Sequence, residues 1–261
     1  MTAGTTGAKM LSAEKVSLSF GGVHAVVEVD IDVHEREIYA IIGPNGAGKT
    51  SFFNALTGYY FPDEGRVTFL GQEITRTANY QRIARGMSRT FQTPSIFPEL
   101  TVYENVVLGV HSKMAVAGSL RGLGARKKDA DARVHELLGF VNLQRWKDTQ
   151  VASLSHGSQR LVEIAACLSV DPRLVLLDEP TAGLAGADTE RVMEVVRDLR
   201  DRLGLTVIFV EHNMRFVSSL ADTVMVMDRG RALLRGSAEE VLNDARVREA
   251  YLGAEEETAD V

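Results

Sequence analysis

The sequence predicts an α/β fold, a mainly parallel sheet covered by helices with a helical segment inserted into it. Three observations carry this. Short β-branched runs read as strands: EIYAII (37–42), LVLL (174–177), TVIFV (206–210) and TVMVM (223–227). The last three are nearly continuous in apolar residues, as expected of strands covered on both faces. Second, from residue 174 onward strands and helical patterns alternate, which calls for parallel pairing through right-handed crossovers. Third, a glycine-rich turn (43–48) joins the first apolar run directly to a helical pattern. Helical periodicity is read over 48–57, 127–140, 156–169, 187–202 and 213–220. From about 93 to 155 no strong strand pattern occurs, and Pro94, Pro98 and the segment GSLRGLGARKK (118–128) interrupt the chain. This stretch is expected to be a mostly helical insertion with a mobile loop, bounded by Gln92 and the region near 151. Arg121, Arg126, Lys127 and Lys128 are followed at once by Asp129 and Asp131, the pattern of a solvated helix start rather than of a lipid or nucleic-acid patch.

Composition narrows the field. A chain of 261 residues, 45% hydrophobic and 25% charged, can bury a full core. The longest internal stretch without charge, Thr50 to Pro62, has 13 residues and contains Gly58 and Pro62; a spanning helix needs about 18–20 apolar residues. The start MTAGTTGAKM lacks the basic and apolar regions of a secretory signal, and the single cysteine, Cys167, excludes an internal disulfide, so a cytoplasmic location is expected. Cys167 reads as a buried small hydrophobe. A net charge of -6 argues against a nucleic-acid partner. No repeat suggests a solenoid, and the ends MTAGTTGA and AEEETADV are expected to fray.

Gly43-Pro44-Asn45-Gly46-Ala47-Gly48-Lys49-Thr50 fits G-x-x-x-x-G-K-[ST] after a strand and before a helix, the context in which that pattern is a phosphate-binding loop. Glycines let backbone N–H groups turn inward and approach phosphate oxygens. The helix that follows offers unpaired N–H groups and a positive dipole end to the same anion. Lys49 supplies a positive charge to the β- and γ-phosphates and Thr50 a hydroxyl to Mg²⁺. The strand LVLL ends in Asp178-Glu179-Pro180, placing two carboxylates at the end of the sheet where such folds bind ligands. Asp178 suits Mg²⁺ through a water, and Glu179 suits polarising an attacking water. Phosphate loops serve many activities, and the absence of an NKxD pattern argues against a GTPase.

Between these elements stands Leu154-Ser155-His156-Gly157-Ser158-Gln159-Arg160, 19 residues before the strand when counted from Ser155 to Leu174. It resembles the LSGGQ signature loop of ABC ATPases. Phe20-Gly21 resembles that family's adenine-stacking loop, Gln92 in RTFQ its Q-loop, Gly183-Leu184 the start of its D-loop, His212 in VEHNM its switch histidine, and Met227-Asp228-Arg229-Gly230 its terminal strand pair. The resemblance covers residues 9–253. It implies a phosphate-loop ATPase core (9–92 and 171–253) with an N-terminal antiparallel β subdomain, an inserted α-helical signature subdomain (about 93–170), and tails at 1–8 and 254–261. It implies ATP and Mg²⁺ as cofactors, with Phe20 and Gly43 through Ser51 (Pro44, Asn45, Gly46, Ala47, Gly48, Lys49, Thr50) holding ATP, and Thr50, Gln92 and Asp178 holding the metal. Glu179, His212 and Gln92 would act in hydrolysis. Leu154, Ser155, His156, Gly157, Ser158 and Gln159 would touch the nucleotide of an opposite subunit, so two cassettes must pair head to tail. His156 and Ser158 depart from the family's glycine and glutamine, with Gln159 covering the missing amide only in part so that the trans contact is weakened, and Ala185 stands where many relatives carry Asp or Asn.

One cassette without a spanning helix implies that the pore belongs to other polypeptides. RTFQ, the 62 residues between Gln92 and Ser155, and the ending Ala250-Tyr251-Leu252-Gly253 resemble the larger ATPase of branched-chain amino acid or urea importers. That resemblance implies a second ABC ATPase as homodimer or heterodimer partner, two transmembrane permease subunits, an extracytoplasmic solute-binding protein, and a position on the inner face of the cell membrane. The alternatives are a lipopolysaccharide or lipid export ATPase, which shares the tyrosine-leucine-glycine ending, and a soluble ABC ATPase of cluster assembly.

Overall fold

Every residue of the strands Ile38–Ile42 (β3), Leu174–Asp178 (β7) and Thr206–Val210 (β8) is buried, as their continuous apolar character requires. These strands, and Thr223–Asp228 (β9), form at the predicted positions. The computed structural model describes residues 7–90, 96–116 and 123–251. Of these, 7–82 with 199–251 make one compact unit and 83–198 a second.

The first unit holds an antiparallel sheet in the order β2-β1-β4-β5, from Lys9–Phe20 (β1), Val23–His34 (β2), Glu64–Phe69 (β4) and Gln72–Glu73 (β5). Alternation decides its faces: Val29, Ile31 and Val33 are buried, whereas Glu28 and Asp30 on either side of Val29 are exposed. Beside it run β3, parallel to both β8 and β9, and Arg231–Gly236 (β10), antiparallel to β9. Helices Lys49–Thr57 (α1), Met214–Leu220 (α7) and Ala238–Asn243 (α8) follow β3, β8 and β10 in the chain, and a further helix spans 245–251. Asn213 caps α7 by accepting the N–H of Phe216 at 3.2 Å, and Ser237 and Glu240 form a reciprocal cap on α8. Asn79–Ala84 (α2) leads out of this unit.

In the second unit Met87–Arg89 (β6) pairs parallel with β7. Helices Val102–Val116 (α3), Leu123–Phe140 (α4), His156–Leu168 (α5) and Ala187–Asp201 (α6) supply the rest, α6 running three residues past the unit's end. Helix α4 begins at Leu123, ahead of the predicted 127, so the basic run at 126–128 is helical rather than part of a loop. Val106, Val110, Val134, Leu137, Leu138, Leu161 and Ile164 are buried at helical spacing. Asp171, between α5 and β7, accepts from both Lys113 of α3 and Arg133 of α4. No helix among the described residues is long and apolar enough to cross a membrane.

Candidate functional site

In the first unit β3 runs straight into residues 43–48 and these into α1. Gly43 and Gly48 have φ of +147° and +93°, and a Cβ on them would stand 2.1 Å from the Met227 carbonyl oxygen and 2.2 Å from that of Ala25. Both the backbone and the space therefore require glycine. The side chain of Lys49 is buried, and its Nζ donates to the carbonyls of Gly43 and Pro44 at 2.7 Å each, which holds an ammonium over the concave side of the loop. Helix α1 has neither a side-chain cap nor an acidic residue in its first turn, so its N-terminal N–H groups and dipole can serve an anion. Asn45, Gly46 and Thr50 are exposed, Ala47 is buried, and Ser51 is half-buried.

The other end of α1 is anchored by a residue that sequence reasoning missed. Arg82 is 1% exposed. Its guanidinium donates to the carbonyls of Ala55 (3.0 Å), Leu56 (2.7 Å), Ile74 (2.7 Å), Thr75 (3.2 Å) and Thr77 (2.8 Å). A cation at a helix C-terminus meets the negative end of the dipole, so this end of the helix is held in place.

Phe20, at the end of β1, is 42% exposed rather than in the core, and its ring meets that of Tyr60 edge-on at 5.0 Å between centroids. An aromatic face open to solvent can stack on a base. His212 is exposed in the turn between β8 and α7. That turn is shaped by the buried Glu211, whose carboxylate accepts the N–H groups of His212 (2.9 Å) and Asn213 (3.1 Å). Gln92 lies outside the described residues. A cavity of about 610 Å³ lies between Pro44–Ala47 and the C-terminal residues Arg246, Glu249 and Ala250.

In the second unit β7 delivers Asp178 and Glu179. Asp178 is buried, and its Oδ2 accepts from Arg89 Nη2 at 2.7 Å, the two side chains being 6% and 3% exposed. Burial raises the Asp178 carboxyl above its ordinary value and the Arg89 guanidinium works against that rise. Its amide donates to Thr90 Oγ1 at 3.1 Å. Arg89 is the second residue missed by the sequence; it stands in RTFQ, where only the glutamine drew notice. Glu179 is half-buried with φ of +46°, a conformation uncommon for a residue with a side chain. Cys167 is buried, its thiol near the Arg89 carbonyl and pushed up to about 12 mainly by burial.

The signature segment caps α5. Ser155 is the N-cap, its Oγ accepting the Ser158 N–H at 3.3 Å, and both Ser155 and His156 are exposed. Gly157 and Ser158 are buried, and Leu154 and Gln159 are intermediate. A Cβ on Gly157 would lie 2.3 Å from Cγ of Asp188 in α6, so the two helices approach closely there. Ser158 Oγ lies within hydrogen-bond reach of Ser155 Oγ (3.2 Å) and Arg191 Nη1 (3.5 Å). Gln159 does not extend its amide outward. Its Nε2 donates to the carbonyls of Val151 and Leu154 at 3.2 Å each and is committed to shaping the loop before the helix.

Known proteins share this architecture. A family model described as ABC transporter matches residues 26–182, and one described as branched-chain amino acid ATP-binding cassette transporter matches 233–257. The high-affinity branched-chain amino acid transport ATP-binding protein LivG of Salmonella typhimurium is 35% identical over 249 residues, 94% of this chain and 98% of the relative. The lipopolysaccharide export system ATP-binding protein LptB of Haemophilus influenzae is 34% identical over 244 residues, 94% and 97% of the two chains. The crystal structure of the ADP conformation of MJ1267, an ATP-binding cassette of an ABC transporter, superposes with a TM-score of 0.83 at 30% identity over 94% of this chain and 99% of that one. The chain belongs to the ABC transporter family. Within it, the protein is an ATP-binding, ATP-hydrolysing subunit.

Proposed function

We propose that this subunit powers the import of branched-chain amino acids through separate membrane proteins. The match over 233–257 to the branched-chain amino acid cassette carries the substrate class, because residues 26–182 match the ABC family as a whole. Two copies, or this chain and a second ABC ATPase, pair head to tail beneath two permease subunits on the inner face of the membrane, served by an extracytoplasmic solute-binding protein. The cassette spans 9–253, with its core in 9–92 and 171–253 and its helical insertion at about 93–170.

In this reading Phe20 stacks on adenine, Gly43 through Ser51 surround the phosphates with backbone N–H groups, and Lys49 neutralises the β- and γ-phosphates. The oxygen donors Thr50, Gln92 and Asp178 suit a hard cation, and Asp178, whose charged form the Arg89 guanidinium favours, fits that role. Bound Mg²⁺ would neutralise charge developing on the phosphate oxygens. Glu179 takes a proton from water as the water oxygen attacks the γ-phosphorus and the bond to the bridging oxygen of ADP breaks; His212 orients that water and the γ-phosphate. Ser155, with the N–H groups at the start of α5, reaches the γ-phosphate held by the opposite subunit.

The test is purification from detergent-solubilised membranes followed by a transport assay. Recovery with two membrane subunits, a second ATPase and a solute-binding protein, and uptake of leucine, isoleucine or valine that fails in Glu179→Gln, is the expected result. Recovery solely as a soluble complex would refute the importer reading.

A further inference from the structure

The backbone of Glu179 is held by the helix that carries the signature loop. Its carbonyl accepts a hydrogen bond from the Ala182 N–H at 3.0 Å and another from Arg160 Nη2 at 3.2 Å. The first closes a turn and is local. The second comes from α5, five residues beyond the cap Ser155, or about 7.5 Å along the axis at about 1.5 Å per residue. Arg160 has no freedom to wander. Its Nη1 is bonded to Glu163 Oε2 at 2.5 Å, one turn on along the same helix, and the side chains are 6% and 3% exposed.

A buried ion pair within one helix contributes little to stability, because desolvation of both charges offsets their attraction, and apolar residues would pack there at least as well. The pair does fix direction. With one prong of the fork on Glu163, the planar guanidinium must present the other along a set line, and that line ends on the Glu179 carbonyl. The same guanidinium favours the anionic form of Asp178. The receiving residue is one whose backbone needs holding: Glu179 sits at φ +46°, where a non-glycine residue persists only if its surroundings enforce it.

We propose that Arg160, set by Glu163, is a positioning residue that ties the signature helix to the backbone of the general base in its own subunit. When the start of α5 seats on the nucleotide of the opposite cassette, the displacement reaches Glu179 through this guanidinium. The base is thereby aligned when the trans contact is made, which links hydrolysis in one site to engagement of the other. This rests on Glu179 acting as the base.

The test measures ATPase kcat and KM, ATP affinity by calorimetry and thermal unfolding on the full chain. Arg160→Lys keeps the charge facing Glu163 and removes the second prong, and Glu163→Gln keeps the shape and loosens the clamp. Expected is a fall in kcat of about 10- to 100-fold for Arg160→Lys, the scale on which misplaced catalytic groups act, and a smaller fall for Glu163→Gln. ATP affinity should stay within about twofold, because nothing that binds nucleotide in cis has been altered. Wild-type kcat in Arg160→Lys overturns the proposal, as does a loss that tracks melting temperature and ATP affinity in both variants, since that is a plain structural role. Glu179→Gln separates the two claims. Full turnover there removes the base and this inference with it, whereas a silent Glu179→Gln beside a fully active Arg160→Lys removes the coupling alone.

Discussion

Replacing Arg89 with Met should destabilise the protein strongly, and the loss should be recovered by a second change at Asp178. The two groups meet at 2.7 Å with side chains 6% and 3% exposed, so removing the arginine strands a carboxylate where water cannot reach it. Breaking such a pair on one side costs about 3–5 kcal/mol. At about 2–4 °C per kcal/mol for a chain of this size, the melting temperature should fall by about 6–20 °C. The sign of the pH dependence follows from the raised pKa of Asp178. A carboxyl whose folded-state pKa lies above its unfolded value of 3.8 stabilises the fold at low pH and loses that contribution as pH rises through the folded value. Without Arg89 the rise is larger, so the penalty should be greatest at neutral pH and should shrink toward pH 4. In the double variant Arg89→Met, Asp178→Asn no charge remains to be stranded, and the two single losses should exceed the double loss by about 1.5–3 kcal/mol. The assay is urea and thermal unfolding of all four proteins in chelator, without nucleotide. Additivity to within about 0.5 kcal/mol would refute the reasoning, because it would mean that the pair is solvated or not formed.

Lys49→Ala should lower ATP affinity about 10- to 100-fold by calorimetry, the value of one charge-assisted contact; unchanged affinity would place the phosphates elsewhere. Gly157→Ala should cost about 1–3 kcal/mol in urea unfolding through overpacking, since the new methyl would stand 2.3 Å from Cγ of Asp188. Wild-type stability in that variant would show that α5 and α6 separate easily. Cys167, its thiol pushed up to about 12, should resist a disulfide reagent at pH 8 in the native protein and react fully in denaturant; fast native labelling would contradict its burial.

The parallel strands were legible because both faces are buried and nothing interrupts their apolar runs. The antiparallel subdomain was reached only through family resemblance, although EVDIDV (28–33) alternates with period two as a half-buried strand must. The bulges at Lys15 in β1 and Glu28 in β2, both with positive φ, carry no glycine to announce them. The phosphate loop could be read residue by residue since Gly43 and Gly48 answer a close approach of backbone and Gly46 a positive φ. Arg82, Arg89 and Arg160 could not: in a sequence a lone arginine reads as surface, and only the fold shows each one buried against carbonyls or a carboxylate. Ser158 and Gln159 illustrate the same limit. Their types suggested a weakened or substituted outward contact, whereas the structure turns Gln159 inward and gives Ser158 a place beside Ser155 and Arg191.

The central claim is that Glu179 drives ATP hydrolysis in a pair of cassettes closed head to tail. Light scattering on the Glu179→Gln protein with ATP and Mg²⁺, run beside a phosphate-release assay, tests it directly. The expected result is a stable particle of two chains with bound ATP and almost no phosphate release. A single-chain particle with ATP bound, or release at the wild-type rate, would contradict it.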